Sequence, residues 1–121
     1  MAFPGVTHSR GTHLLVDFFG VEEEKLRNQR QLMRILCAAL KDGGFSIIKK
    51  TGSYKFAEGG QGVTGFVLLA QSHAAFHSYP ECGYLALDIY TCGNFNPAPI
   101  AQKIERYLHP QKVSQVLQKR G

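Results

Sequence analysis

Between Thr64 and Cys92 the chain concentrates the side chains that can do covalent chemistry. The stretch holds two of the three cysteines (Cys82, Cys92), two of the five histidines (His73, His77), Ser72 directly after Gln71, and Glu81 directly after Pro80. A serine hydroxyl becomes a nucleophile once a base takes its proton, and imidazole titrates close enough to neutrality to be that base. A thiol with a pKa of about 8.5 stays mostly protonated at pH 7 and can hand a proton over. Each residue also has an ordinary role, as a turn former, a satisfied polar group or a small buried filler. The three cysteines form no C-x-x-C pair and no zinc-ligand rhythm, so neither a disulfide scaffold nor a metal site is expected. The loop Ala57–Gly62 is rich in glycine but lacks Lys-Ser/Thr at the offset a phosphate-binding loop needs.

The elements that must position these residues are readable from period and punctuation. Residues 11–19 are β-branched and aromatic enough for a first strand, closed by Gly20. Glu22, Glu23 and Glu24 then suit the positive end of a helix dipole. Apolar residues at Leu26, Met33, Leu36 and Leu40, widened by Leu32, Ile35 and Ala39, predict one continuous helix that stops at Gly43–Gly44. A second strand opens at Phe45 and runs toward Phe56 past a break at Gly52, and Gly65–Ala70 reads as a buried strand. The mixed stretch Ser72–Pro80 reads as partly irregular. Gly83–Cys92 alternates cleanly, with Leu85, Leu87 and Ile89 on one face and Tyr84, Ala86, Asp88, Tyr90 and Cys92 on the other. Pro97 and Pro99 start a second helix with Ile100, Ile104 and Leu108 along one side, and Lys112–Leu117 predicts a last edge strand. The order β-α-β-β-β-α-β implies an α+β fold, an antiparallel sheet with two helices packed on one face.

The 121 residues suit a single domain, 1–121, and 44% hydrophobic composition without low-complexity tracts suits a globular chain. No apolar run approaches the roughly 20 residues of a membrane-spanning helix, and Met1–Arg10 lacks an apolar signal core, so a cytoplasmic protein with no membrane partner is expected. The net charge of +5 sits largely in Lys49–Lys50 and in Lys112, Lys119 and Arg120. Such short scattered runs read as solvated surface, and nucleic acid is not an expected partner.

Several of these segments together resemble a known family. Gly-Val-Thr-Gly at 62–65, Gln-Ser-His-x-x-x-His at 71–77, Pro-Glu at 80–81 and Gly-Tyr-x-Ala-x-Asp-x-x-Thr-Cys-Gly at 83–93 look like prokaryotic S-adenosylmethionine decarboxylases, and His13–Phe18 is similar to that family's opening strand. The resemblance implies that the chain cuts itself between Gln71 and Ser72, giving a β chain of 1–71 and an α chain of 72–121. By this resemblance the Ser72 hydroxyl attacks the preceding carbonyl, the resulting ester is eliminated, and hydrolysis leaves a pyruvoyl cofactor derived from Ser72. His77 matches the histidine acting in the elimination, and Thr64 a hydroxyl residue that assists the first step. Cys92 matches the proton donor in turnover, in which the pyruvoyl carbonyl forms a Schiff base with the substrate amine. Phe56 matches an aromatic that stacks on adenine, and Glu81 an acid that accepts from ribose hydroxyls. The expected partners are a small amino-acid-type substrate in polyamine synthesis and a second copy of the chain, with active sites near a homodimer interface.

Gln71 stands where that family carries glutamate, which leaves self-cleavage intact but removes an anionic neighbour from a sulfonium substrate. Tyr79 replaces a tryptophan, Cys82 a tyrosine, and the loop between Phe56 and Thr64 is longer. Relatives of the fold decarboxylate ornithine or arginine, so both stand beside S-adenosylmethionine as substrates, and a basic RNA-binding sheet domain is the rival of a different class. Ser72 and His77 are five residues apart, an odd spacing that puts them on opposite faces of a regular strand. Their direct cooperation predicts a turn or bulge between them, at Ala74–Ala75.

Overall fold

A computed structural model describes residues 10–93 and 95–121, and residues 49–52 by their backbone alone. Most of the stretch on which a missing signal was read, Met1–Ser9, and the side chains of Lys49 and Lys50 lie outside the described residues. In chain order the elements are β1 (Gly11–Phe19), α1 (Glu23–Arg27), α2 (Gln29–Asp42), β2 (Ile47–Lys55), β3 (Val63–Leu69), β4 (Ser72–Tyr79), a 3-10 turn (Pro80–Cys82), β5 (Tyr84–Cys92), α3 (Ala98–Leu108) and β6 (Lys112–Arg120). The six strands form one sheet in the order β2-β3-β4-β5-β1-β6, and every pairing is antiparallel. The α+β architecture is the expected one. No helix among the described residues is long and apolar enough to cross a membrane.

Alternation along the strands gives the sheet one dry face and one open face. Leu14, Val16 and Phe18 of β1, Val63 and Val67 of β3, Ala74 and Phe76 of β4, and Leu85, Leu87 and Ile89 of β5 are buried on the dry face. There they meet Leu32, Leu36 and Leu40 of α2 and Ile100, Ile104 and Leu108 of α3 in one core. Each fully buried side chain of this size contributes about 1.5–3 kcal/mol by leaving water, which is why these two amphipathic helices stay docked. Among the described residues, the other face carries no helix. It presents Leu15, Phe19, Leu68 and Val116, all exposed.

Three local expectations are corrected. The continuous helix is two helices, because Asn28 leaves helical geometry at φ −83° and ψ 83° and its side chain accepts from the Gln31 amide at 3.1 Å, capping α2. The strand read as Gly65–Ala70 starts at Val63 and is not buried throughout, since Thr64, Phe66 and Leu68 point to the open face. Most consequentially, β4 is unbroken: Ser72 through His77 pair residue by residue with Leu69 through Thr64 of β3, and Ala74 and Ala75 pair with Ile89 and Asp88 of β5. The polar and small residues that looked irregular are the open-face half of an ordinary half-buried strand.

Candidate functional site

The straight β4 divides the expected residues into two groups. One lies at the end of the sheet where β2 meets the glycine-rich loop. Thr64 and His77 are register partners on the open face, and Thr64 Oγ1 lies 2.9 Å from His77 Nδ1. They line a cleft of about 710 Å³ together with Phe56 and Glu81. Phe56 is half exposed and packs edge to face on Tyr54 at 4.8 Å, so it is no core residue. Pro80 starts the 3-10 turn that carries the exposed Glu81 to the cleft wall.

The cleft has a scaffold that the sequence hid. Arg27, the last residue of α1, donates from Nε to the Gly60 carbonyl at 3.0 Å and ties the loop to that helix. Gly60 itself lies against Glu81, so that a Cβ there would run into the Glu81 carboxylate. A side chain there would push the exposed Glu81 carboxylate out of its place at the cleft. Beneath the cleft, buried Ser78 donates from Oγ to the Leu26 carbonyl (2.7 Å) and accepts from the Val63 amide (2.8 Å), joining α1, β3 and β4. Tyr54 and Tyr79 complete the lining. The period-two spacing of Tyr54 and Phe56 was the available signal for Tyr54; nothing local in sequence points to Arg27.

The second group lies at the opposite end of the sheet. Ser72 is the first residue of β4 and only 4% exposed, and its Oγ accepts from the Cys92 amide at 3.1 Å. Gln71 occupies the two-residue β3–β4 turn at φ 53°, a left-handed conformation that costs a side-chain-bearing residue about 1–2 kcal/mol. Cys92 ends β5, is exposed and carries a free thiol; Cys37 and Cys82 are also free. A cleft of about 580 Å³ beside Ser72 and Gln71 is lined by Arg10, His73, Tyr90 and Arg120. Along a strand rising about 3.3 Å per residue, Ser72 and His77 are separated by about 16–17 Å and face opposite sides of the sheet. One chain therefore does not bring its serine to its own Thr64–His77 pair.

From the Thr64–His77 cleft a row of aromatic rings runs across the open face at the same end of the sheet. Tyr79 stacks on Tyr84 and Tyr84 on Phe19, with centroids 5.4 and 5.3 Å apart, and Lys112 sits over Phe19. The Tyr84 hydroxyl donates to Asp17 Oδ1 at 2.5 Å, and that hydrogen bond, with desolvation and the Asp17 charge, pushes the Tyr84 pKa up to about 12.

The sequence profile of the S-adenosylmethionine decarboxylase family matches residues 12–121. Among curated relatives, the S-adenosylmethionine decarboxylase proenzyme of Methanococcus maripaludis is 37% identical over 113 residues, covering 92% of this chain and 89% of that protein. The proenzyme of Thermoplasma volcanium is 38% identical over 105 residues, covering 86% and 78%. The crystal structure of the adenosylmethionine decarboxylase from Aquifex aeolicus superposes with a TM-score of 0.84 at 31% identity, covering 93% of this chain and 92% of that one.

Proposed function

The chain belongs to the S-adenosylmethionine decarboxylase family, and on that premise we propose that it is a self-processing decarboxylase of S-adenosylmethionine. In this reading it severs itself between Gln71 and Ser72 and works as a cytoplasmic homodimer in polyamine synthesis. The observation that carries the reading is the division of the family residues into two groups at opposite ends of an unbroken strand. Thr64, His77, Phe56 and Glu81 share one cleft, while Ser72, Gln71 and Cys92 share the other end. A two-fold axis over the open face sets the end of each copy that carries Ser72 and the exposed Cys92 over the Thr64–His77 cleft of the other, so that each shared site draws on both copies. The exposed Leu15, Phe19, Leu68 and Val116 on that face suit burial against a second copy.

The residues at Ser72 fit the conversion of that serine into a pyruvoyl group. The Cys92 amide holds Oγ, and the residue before it, Gln71, sits in a left-handed conformation that costs about 1–2 kcal/mol. When formed, a pyruvoyl group supplies an electron-accepting carbonyl conjugated to an amide. The other roles belong to side chains already placed. Thr64 orients the His77 ring, which moves protons during processing, and Cys92 holds a proton at Sγ for delivery to the substrate α-carbon. Phe56 and Tyr54 offer ring faces to a purine, and Glu81 offers its carboxylate oxygens to ribose hydroxyls.

Intact-mass measurement on the purified protein is the direct test. Fragments split at 71/72, the C-terminal one blocked at its first residue, with carbon dioxide released from S-adenosylmethionine and not from ornithine or arginine, are the expected result. A single uncut chain that releases carbon dioxide from none of the three removes the reading. Release from ornithine or arginine alone moves the substrate.

A further inference from the structure

Three strands of the open face bring together a set of ligands with no part in the reading above. His13 on β1 and His73 on β4 are both register partners of Tyr90 on β5, which lies between them, and Asp88 sits two residues before Tyr90 on the same face. His13 Nε2 is 3.2 Å and His73 Nε2 3.7 Å from the same Asp88 Oδ1. One ligand atom from each residue lies within 4.8 Å of the others, and all three residues are partly buried. Around a four-coordinate zinc ion with bonds of about 2.0–2.2 Å, neighbouring ligand atoms stand about 3.3–3.6 Å apart. The two distances to Asp88, 3.2 and 3.7 Å, bracket that range to within about 0.1 Å, and closing the third is a matter of side-chain rotation.

We propose that His13, His73 and Asp88 form a binding site for a divalent transition-metal ion of the zinc, cobalt and nickel type. Two imidazoles and one carboxylate favour these ions over magnesium and calcium, which prefer all-oxygen shells. The rings are held ready. The His73 ring lies nearly parallel to Phe66 (19°) and to Tyr90 (24°), one on each side, and the His13 ring packs edge-on to Tyr90 at 5.7 Å. The Tyr90 hydroxyl reaches the other way, over Gly11, and is not a ligand. Three ligands from adjacent strands leave the coordination positions on the helix-free side open to water or to a group presented from outside the chain. Metal and proton compete for the imidazole nitrogens, so each histidine binds the ion as the neutral ring. The site stands independently of the decarboxylase reading.

Calorimetric titration of the chelator-treated full chain with zinc chloride tests it, with cobalt(II) chloride as a spectroscopic probe. About one ion per chain is expected, with a cobalt ligand-field spectrum lacking thiolate charge-transfer bands, which sets this site apart from one at Cys82 or Cys92. His13→Gln, His73→Gln and Asp88→Asn each weaken zinc binding by more than the roughly 10–100-fold typical of an outer-shell change, whereas His109→Gln, at an exposed helix end, leaves it unchanged. Circular dichroism and the zinc-induced rise in Tm, present in the parent and absent in the three variants, separate lost ligation from lost folding. Absence of zinc binding by the folded parent chain overturns the proposal, and so does equal binding by parent and the three variants.

Discussion

Mixing two inactive variants tests whether the two ends of the sheet belong to one site. Ser72→Ala removes the residue to be converted, and His77→Ala removes the imidazole of the opposite end; each alone is expected to stay uncut and inactive. Within one chain the two positions are about 16–17 Å apart on opposite faces. Bringing them together would tear β4 from both β3 and β5, at about 1 kcal/mol for each of several backbone hydrogen bonds and more for exposing Ala74 and Phe76. Across a dimer no such rupture is needed. Equal coexpression with random pairing gives mixed dimers in about half the molecules, each with one intact site and one doubly damaged site, so activity returns to about a quarter of the parent level. The assay is carbon dioxide release from carboxyl-labelled S-adenosylmethionine, with the cleaved fraction read by mass on the same sample. Activity of the mixture no higher than the sum of the separate variants refutes the shared site. Cleavage of the His77→Ala chain at the parent rate refutes the role of the imidazole.

Gln71→Gly relieves the left-handed strain, so in an uncleavable Ser72→Ala background it adds about 1 kcal/mol to stability; in the parent it slows cleavage about fivefold when that strain is released in the transition state. Urea midpoints and the half-time of fragment appearance read the two effects, and faster cleavage sinks the strain argument. Ser78→Ala leaves the buried Val63 amide without its acceptor and costs about 1–3 kcal/mol by urea unfolding; a loss below about 0.5 kcal/mol contradicts that assignment. Tyr84 has its pKa raised from 10.0 to about 12, so its contribution is whole below pH 10 and fades as pH climbs toward 12. Comparing the Tm of the parent and Tyr84→Phe across that window tests the sign: the difference between them shrinks as pH rises, and a constant difference excludes the Asp17 hydrogen bond as its source.

Much of the fold was legible because it follows from period and punctuation. Leu85, Leu87 and Ile89 alternate in a half-buried strand, and Pro97 with Ile100, Ile104 and Leu108 marks both the start and the buried stripe of α3. The break at Asn28 was not legible, since the apolar stripe runs through it and a single asparagine cap decides against it. Nor was the continuity of β4, whose dry face contributes only Ala74 and Phe76 as apolar residues between two serines. The straightness of that strand is also what separated the site residues, a fact of tertiary pairing that spacing could raise only as a question. The candidate site residues were nameable from motif likeness. Their supports, Arg27 on the Gly60 carbonyl and Ser78 under Val63, join positions far apart in the chain and leave no local trace. The same holds for His13, His73 and Asp88, which assemble by register across three strands.

The strand order has a consequence for a chain severed after Gln71. The N-terminal piece would own β1, β2 and β3, and the C-terminal piece β4, β5 and β6, yet β1 lies between β5 and β6 with hydrogen bonds on both flanks. The fragments are interlocked like fingers of two hands, and the nick sits in a turn that no longer has to hold anything together. Once denatured, such a pair would regain its shape only by a bimolecular encounter, so its refolding would depend on concentration in a way that the unsevered precursor's would not.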